Sequence, residues 1–277
     1  MNPSGVFEDQ GERLVVGGWG AETVEFDEER GDCLAVAGAV FFADDNGVHE
    51  GHRFMIVPRL YAIADMETLA RRGIELREFA EGLRAAGVTW IQLRDKAGTP
   101  QEVLEAAQVL REVFAGTGCV LIMNDRVDLG ALARFDGVHV GQEDLSVGDA
   151  RRVLKARNQH GGHGGYTEET QREVVGVSTH SEEQVGAADA GEADYVAIGP
   201  IFRTGTKMDA EAVVGLAGVR RARELTRKPL VAIGGITREN CRSVVEAGAD
   251  SVAVIGGMLA AGEMVEQVAR DFLRILG

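Results

Sequence analysis

Two carboxylates stand immediately after short apolar runs, Asp125 in IMNDR and Asp144 in HVGQED. In a chain that alternates such runs with helical stretches, they fall at neighbouring strand ends, where a barrel can hold a hard cation against an anionic ligand. The nearest basic side chains are Arg94 and Lys96 in WIQLRDK, with Lys207 in FRTGTK further along. Together these residues point to chemistry on a phosphorylated compound. The chain has only four lysines, Lys96, Lys155, Lys207 and Lys228, against 25 arginines, so half of its lysines fall in these glycine- and carboxylate-rich segments.

The elements that must position these groups become periodic from Pro58. Strands are predicted over 59–65, 88–94, 119–124, 137–140, 174–178, 194–199, 229–235 and 251–256. Helices are predicted after them, beginning with one whose Leu76, Phe79, Leu83 and Ala86 share a face, then over 100–115, 127–133, 147–157, 181–189, 210–225, 238–247 and 261–275. An internal echo supports this count. EGLRAAGVTWIQLR, DAGEADYVAIG and EAGADSVAVIG all run a helix end into Ala-Gly and then a buried strand, as expected where glycine stops a helix before a tight connection. Eight such units, polar residues at many strand ends and no GxGxxG after the first strand favour closure into a TIM (β/α)8 barrel over an open doubly wound sheet.

At 277 residues and 45% hydrophobic, the chain is long enough for one large core, with residues 57–277 as the catalytic barrel. Residues 1–56 form a separate acidic, glycine-rich extension, with 12 Asp and Glu against three arginines. LVV at 14–16 and CLAVAGAVFF at 33–42 have strand-like content there, so the extension reads as a small accessory β element or a partly ordered arm. A formal charge of -15 argues against general nucleic-acid binding, although a local basic pocket can still hold a small anion. The acidic surplus suits a high-salt cytoplasm and ordinary solubility equally well. Cys33, Cys119 and Cys241 are odd in number and widely spaced, indicating neither a disulfide framework nor a zinc site. Lacking a long apolar span or a leader pattern, the chain is expected to be cytoplasmic with no membrane contact. Its oligomeric state is left open, a homo-oligomer included. The glycine- and histidine-rich stretch 158–171 reads as a solvated insertion, His160 and His163 having no further ligand at fixed spacing.

From about Tyr61 onward, QLRDK, ND, GVHVGQED, GVSTH, DYVAIGPIFRTGTK, AIGGI and GADSVAVIG occur in that order, and the chain resembles the thiamine phosphate synthase family. The resemblance implies a cytoplasmic TIM barrel that requires Mg2+. Such a barrel joins a pyrimidinylmethyl diphosphate to a thiazole phosphate, or its carboxylate form, and releases pyrophosphate. It assigns Gln92, Arg94, Lys96, Asn124, Ser178 and Lys207 to the pyrimidine diphosphate, with Arg94, Lys96, Ser178 and Lys207 as the catalytic set. It makes Asp125 and Asp144 the metal-binding carboxylates, and it gives Thr204, Thr206, Gly235, Ile255 and Gly256 to the thiazole phosphate. The family often has Ser at the position of Gly256, so one hydroxyl contact is missing here, though successive backbone N–H groups there could still form an anion nest.

Each assignment has a structural rival. Asp125 and Asp144 could cap the helices that follow them, and Arg94 and Lys96 could form solvated ion pairs with Asp95 or Glu102. His139 is expected to pack or hydrogen-bond at a strand end, Tyr195 and Trp90 to be barrel residues, and Ser178 and His180 not to form a hydrolytic pair. Two other functions are compatible with the same barrel. One is a thiazole tautomerase, which predicts an incomplete diphosphate clamp, and the other is a non-catalytic phosphate-binding barrel.

Overall fold

The computed structural model describes residues 55–159, 173–204 and 212–277, together with four short strands within the first 48 residues. These strands, β1 (Val6–Asp9), β2 (Glu12–Val15), β3 (Phe41–Asp44) and β4 (Gly47–Val48), pair in chain order as an antiparallel sheet. The chain divides into two compact units, Met1–Met55 and Ile56–Gly277.

The second unit is a closed barrel of eight parallel strands. They are β5 (Leu60–Asp65), β6 (Trp90–Arg94), β7 (Val120–Asn124), β8 (Gly137–Val140), β9 (Val174–Thr179), β10 (Tyr195–Ile198), β11 (Leu230–Ile233) and β12 (Ser251–Val254). The sheet closes where β12 pairs with β5, Val252 opposite Leu60. All six residues of β5 are buried, because a barrel strand is covered by helices outside and by layered side chains inside. Each of the eight predicted strands is present, and the barrel is the predicted one.

The helices are α1 (Met66–Arg72), α2 (Leu76–Ala86), α3 (Pro100–Val113), α4 (Val127–Leu132), α5 (Val147–Gln159), α6 (Glu182–Ala190), α7 (Gly215–Leu225), α8 (Cys241–Glu246) and α9 (Val265–Leu276). α3 starts on a capping box, in which Thr99 Oγ1 accepts from the Glu102 N–H and the Glu102 carboxylate accepts from the Thr99 N–H, with Pro100 in the first turn. The last helix packs its apolar face against α2, burying Val268 and Phe272; burial of Phe272 contributes roughly 2 kcal/mol.

Three local differences from the sequence reading have physical causes. α1 follows β5 directly, because Asp65 supplies the N-cap by accepting from the Thr68 N–H at 2.9 Å. α7 begins at Gly215 rather than at 210, with residues 212–214 non-helical and Gly215 at φ +64. Of the three echoed glycines, Gly87 ends α2 in the left-handed region at φ +84, whereas Gly191 ends α6 with extended backbone. The insertion 158–171, with His160 and His163, lies outside the described residues from position 160 on, as does Cys33. Cys119 and Cys241 are free thiols.

The amino-terminal ends of the strands are tied by a recurring device. Asp136, Asp194 and Asp250 each precede a strand and accept, through Oδ2, a backbone N–H from the first or second residue of the strand before it: Leu121 at 2.8 Å, Val175 at 2.7 Å and Leu230 at 2.7 Å. Arg151 adds an ion pair to Asp194 at 2.7 Å, and Arg223 adds one to Asp250 at 2.7 Å.

Candidate active site

A cavity of about 550 Å³ opens at the carboxyl ends of the strands. Its wall includes Gln92, Arg94, Asn124, Ser178, Thr204 and Gly235, with Ile255 and Gly256 on the far side. Eight of the predicted binding residues, drawn from strands or strand ends all round the barrel, therefore share one cavity. Lys207 and Thr206 lie outside the described residues.

Arg94 ends β6 and is held from the side by Asp65, the last residue of β5. One Asp65 oxygen accepts from Arg94 Nη1, and the other accepts from the Thr68 backbone and hydroxyl. The Asp65 side chain is only 2% exposed, so this carboxylate is fully committed and the guanidinium is fixed facing the cavity wall. Neither Asp95 nor Glu102 competes, because Asp95 closes its own turn onto Gly98 N at 2.7 Å and Glu102 serves the capping box.

Lys96, Asp125 and Asp144 gather beside Asn124. Lys96 Nζ sits 2.8 Å from Asp125 Oδ2. The Asp144 carboxyl is pushed up from its ordinary range, first by burial and further by the nearby Asp125 carboxylate, while the Gly141 N–H it accepts at 2.7 Å works in the opposite sense. Neither aspartate caps a helix. α4 has no side-chain cap, and the Asp149 N–H near the start of α5 is taken by Ser146 Oγ at 3.1 Å. Asp125 has φ +57, an uncommon conformation for a residue with a side chain, and its N–H is fixed to the His139 carbonyl at 2.8 Å. Among the described residues no group of three or more His, Cys, Asp or Glu is placed to hold a metal ion. Two neighbouring carboxylates beside Asn124 nevertheless fit the oxygen-rich, partly hydrated shell that Mg2+ prefers, in which substrate oxygens and water supply the other ligands.

Along the cavity lining and into the barrel core runs a chain of hydrogen bonds. Gln92 Nε2 donates to Tyr61 Oη at 2.8 Å, and Tyr61 Oη lies 3.0 Å from Tyr195 Oη. Tyr195 Oη is 2.9 Å from His139 Nδ1, and His139 Nε2 is 2.8 Å from Ser178 Oγ. Burial pushes both phenols well above their ordinary titration range, so both keep their protons. His180 is not paired with Ser178. Its Nδ1 donates to the Gly199 carbonyl at 2.6 Å.

Sequence reasoning did not single out Asp65, Tyr61, or the arginines Arg71, Arg72 and Arg203 that also line the cavity. Asp65 carried a usable signal, an acidic residue at the carboxyl end of the first barrel strand, the same placement that drew attention to Asp125. The arginines carried none in a chain with 25 of them.

Fold and site define a class, a closed (β/α)8 barrel whose arginine-lined, glycine-rimmed cavity at the strand ends suits a phosphorylated ligand. Residues 60–162 and 166–258 match the family Thiamine monophosphate synthase, and the chain belongs to that family. It is 46% identical over 222 residues to the thiamine-phosphate synthase of Koribacter versatilis, covering 79% of this chain and 96% of the relative. It is 37% identical over 206 residues to that of Chloroflexus aurantiacus, covering 74% and 87%. A solved thiamine phosphate pyrophosphorylase from Pyrococcus furiosus superposes with a TM-score of 0.64 at 30% identity, over 79% of this chain and 95% of that one. Among the described residues no helix is long and apolar enough to cross a membrane.

Proposed function

We propose that this barrel is a thiamine-phosphate synthase, which joins 4-amino-2-methyl-5-pyrimidinylmethyl diphosphate to 4-methyl-5-(2-phosphoethyl)thiazole, or its carboxylate, and releases pyrophosphate. The observation that carries the reading is the convergence of Gln92, Arg94, Asn124, Ser178, Thr204, Gly235, Ile255 and Gly256 on one cavity, with Lys96, Asp125 and Asp144 beside Asn124.

The reaction breaks the carbon–oxygen bond to the diphosphate and forms a carbon–nitrogen bond to the thiazole ring. The aminopyrimidine spreads positive charge, so bond breaking runs ahead of attack, and charge gathers on the departing oxygens. Arg94, pre-oriented by Asp65, and Lys96, anchored at Asp125, would meet that charge, and the Ser178 hydroxyl would add a neutral donor. Lys207 completes the set in this reading. No side-chain nucleophile is required, because the thiazole nitrogen itself attacks. Thr204, Thr206, Gly235 and the backbone at Ile255 and Gly256 receive the thiazole phosphate. Gly235 permits a close backbone approach, since a Cβ there would stand 2.6 Å from the Arg203 carbonyl oxygen. Asp125 and Asp144 would hold Mg2+, which when bound would neutralise the departing diphosphate.

The test uses the purified full chain with both substrates and Mg2+, following pyrophosphate. Magnesium-dependent release that requires both substrates supports the synthase. Binding of the thiazole phosphate without release would indicate a non-catalytic barrel, and isomerisation of the thiazole alone would indicate a tautomerase.

A further inference from the structure

We infer that Tyr61, Tyr195 and His139 are positioning residues that fix the direction of the Ser178 hydroxyl, making it an obligate hydrogen-bond donor to the ligand. The inference rests on the synthase reading for what the donor does, but its geometry stands without it. Counting protons along the buried chain fixes each direction. The amide nitrogen of Gln92 can only donate, so Tyr61 Oη must accept there, and the single Tyr61 proton goes to its other neighbour, Tyr195. Tyr195 then spends its own proton on His139 Nδ1. That leaves the histidine hydrogen on Nε2, donating to Ser178 Oγ. With one lone pair engaged from behind, Ser178 keeps its hydrogen for the cavity it lines, where a departing oxyanion would accept it.

The path is built rather than incidental. Its five members come from five strands, Tyr61 on β5, Gln92 on β6, His139 on β8, Ser178 on β9 and Tyr195 on β10. Tyr61 and Tyr195 are fully buried and meet edge to face, with ring centroids 6.1 Å apart, and His139 stacks on Tyr195 at 5.5 Å. Space for the Tyr195 ring exists only because β9 has glycine at position 176, where a Cβ would lie 2.0 Å from Tyr195 Cζ. Buried polar atoms in a barrel core are costly unless every proton has a partner, so a core that keeps this chain gains order at its end.

Two measurements test the inference. In full-length protein labelled with 15N at histidine, and with His139 assigned through a His139→Gln variant, Nδ1 should be pyridine-like and Nε2 should carry the hydrogen. Tyr195→Phe, which removes one oxygen, should lower kcat about tenfold and leave KM within about twofold, the scale expected for losing one positioned hydrogen bond. Added to Ser178→Ala, the same change should cost nothing further, because Tyr195 acts through Ser178. A folded wild type with its hydrogen on His139 Nδ1 overturns the inference, and so does a fully additive double variant. If the wild type releases no pyrophosphate, the synthase reading falls, while the tautomer measurement still decides the direction of the chain.

Discussion

The two ends of the barrel use aspartate in opposite ways. At the amino-terminal end, Asp136, Asp194 and Asp250 each take an N–H at the start of a neighbouring strand, from its first or second residue, and arginines pair with Asp194 and Asp250. These carboxylates are satisfied by the fold itself. At the carboxyl end, Asp125 and Asp144 raise each other's electrostatic cost, Lys96 pairs with Asp125, and Asp125 adopts an uncommon backbone conformation. One end spends its charge on closing the barrel. The other holds charge in a crowded state that a ligand can relieve, which is where strain in a fold tends to mark function.

Replacing a carboxylate at each end should separate the two roles. Asp125→Ala should lower kcat/KM by about 10²–10³, the range for losing a group that meets transition-state charge or a bound cation. Because α4 needs no cap from Asp125, thermal unfolding should move little. Wild-type activity at limiting Mg2+ would remove Asp125 from the site.

Asp194→Ala should show the reverse. It leaves the Val175 N–H and the Arg151 guanidinium without their shared partner, a cost of about 1–2 kcal/mol in denaturant unfolding. Its kcat should stay within about twofold of wild type at a temperature where the protein is folded. A large kcat effect would mean that the two ends are mechanically coupled.

The smallest effect is expected from pH at the amino-terminal end. Asp189 is held below its ordinary value of 3.8, first by the Thr226 hydroxyl and then, against the opposing effect of burial, by the Arg227 N–H. A lowered carboxyl means that the unfolded chain binds the proton more readily. The stability it contributes is therefore present above 3.8 and is lost as pH falls through the lower folded value. Asp189→Asn should flatten that part of the acid limb in a Tm-versus-pH series; an unchanged limb would assign the loss to other carboxylates.

Much of this was legible in the chain. Apolar runs such as VLIMN and SVAV, separated by amphipathic helices, specify buried parallel strands, and their number specifies closure. Arg94, Lys96, Asp125 and Asp144 were conspicuous because they lie at or a few residues beyond strand ends, where side chains face solvent or ligand. Asp65 was missed because its neighbours, LYAIA, mark it only as the end of a core strand, and its partner Arg94 lies 29 positions away. Tyr195 reads from the chain as a barrel residue and His139 as packing or hydrogen-bonding at a strand end, yet their polar atoms meet each other and Tyr61 only once five strands close.

The sequence by itself determined the order of elements, the barrel and the acidic and basic groups at its carboxyl end, because hydrophobic period and strand-end polarity are local properties. Tertiary structure alone decided that Asp65 aims Arg94, that Lys96 chooses Asp125 over Asp95, and that Gly176 makes room for Tyr195. Those outcomes depend on distances between residues brought together by closure, and spacing along a chain does not encode them.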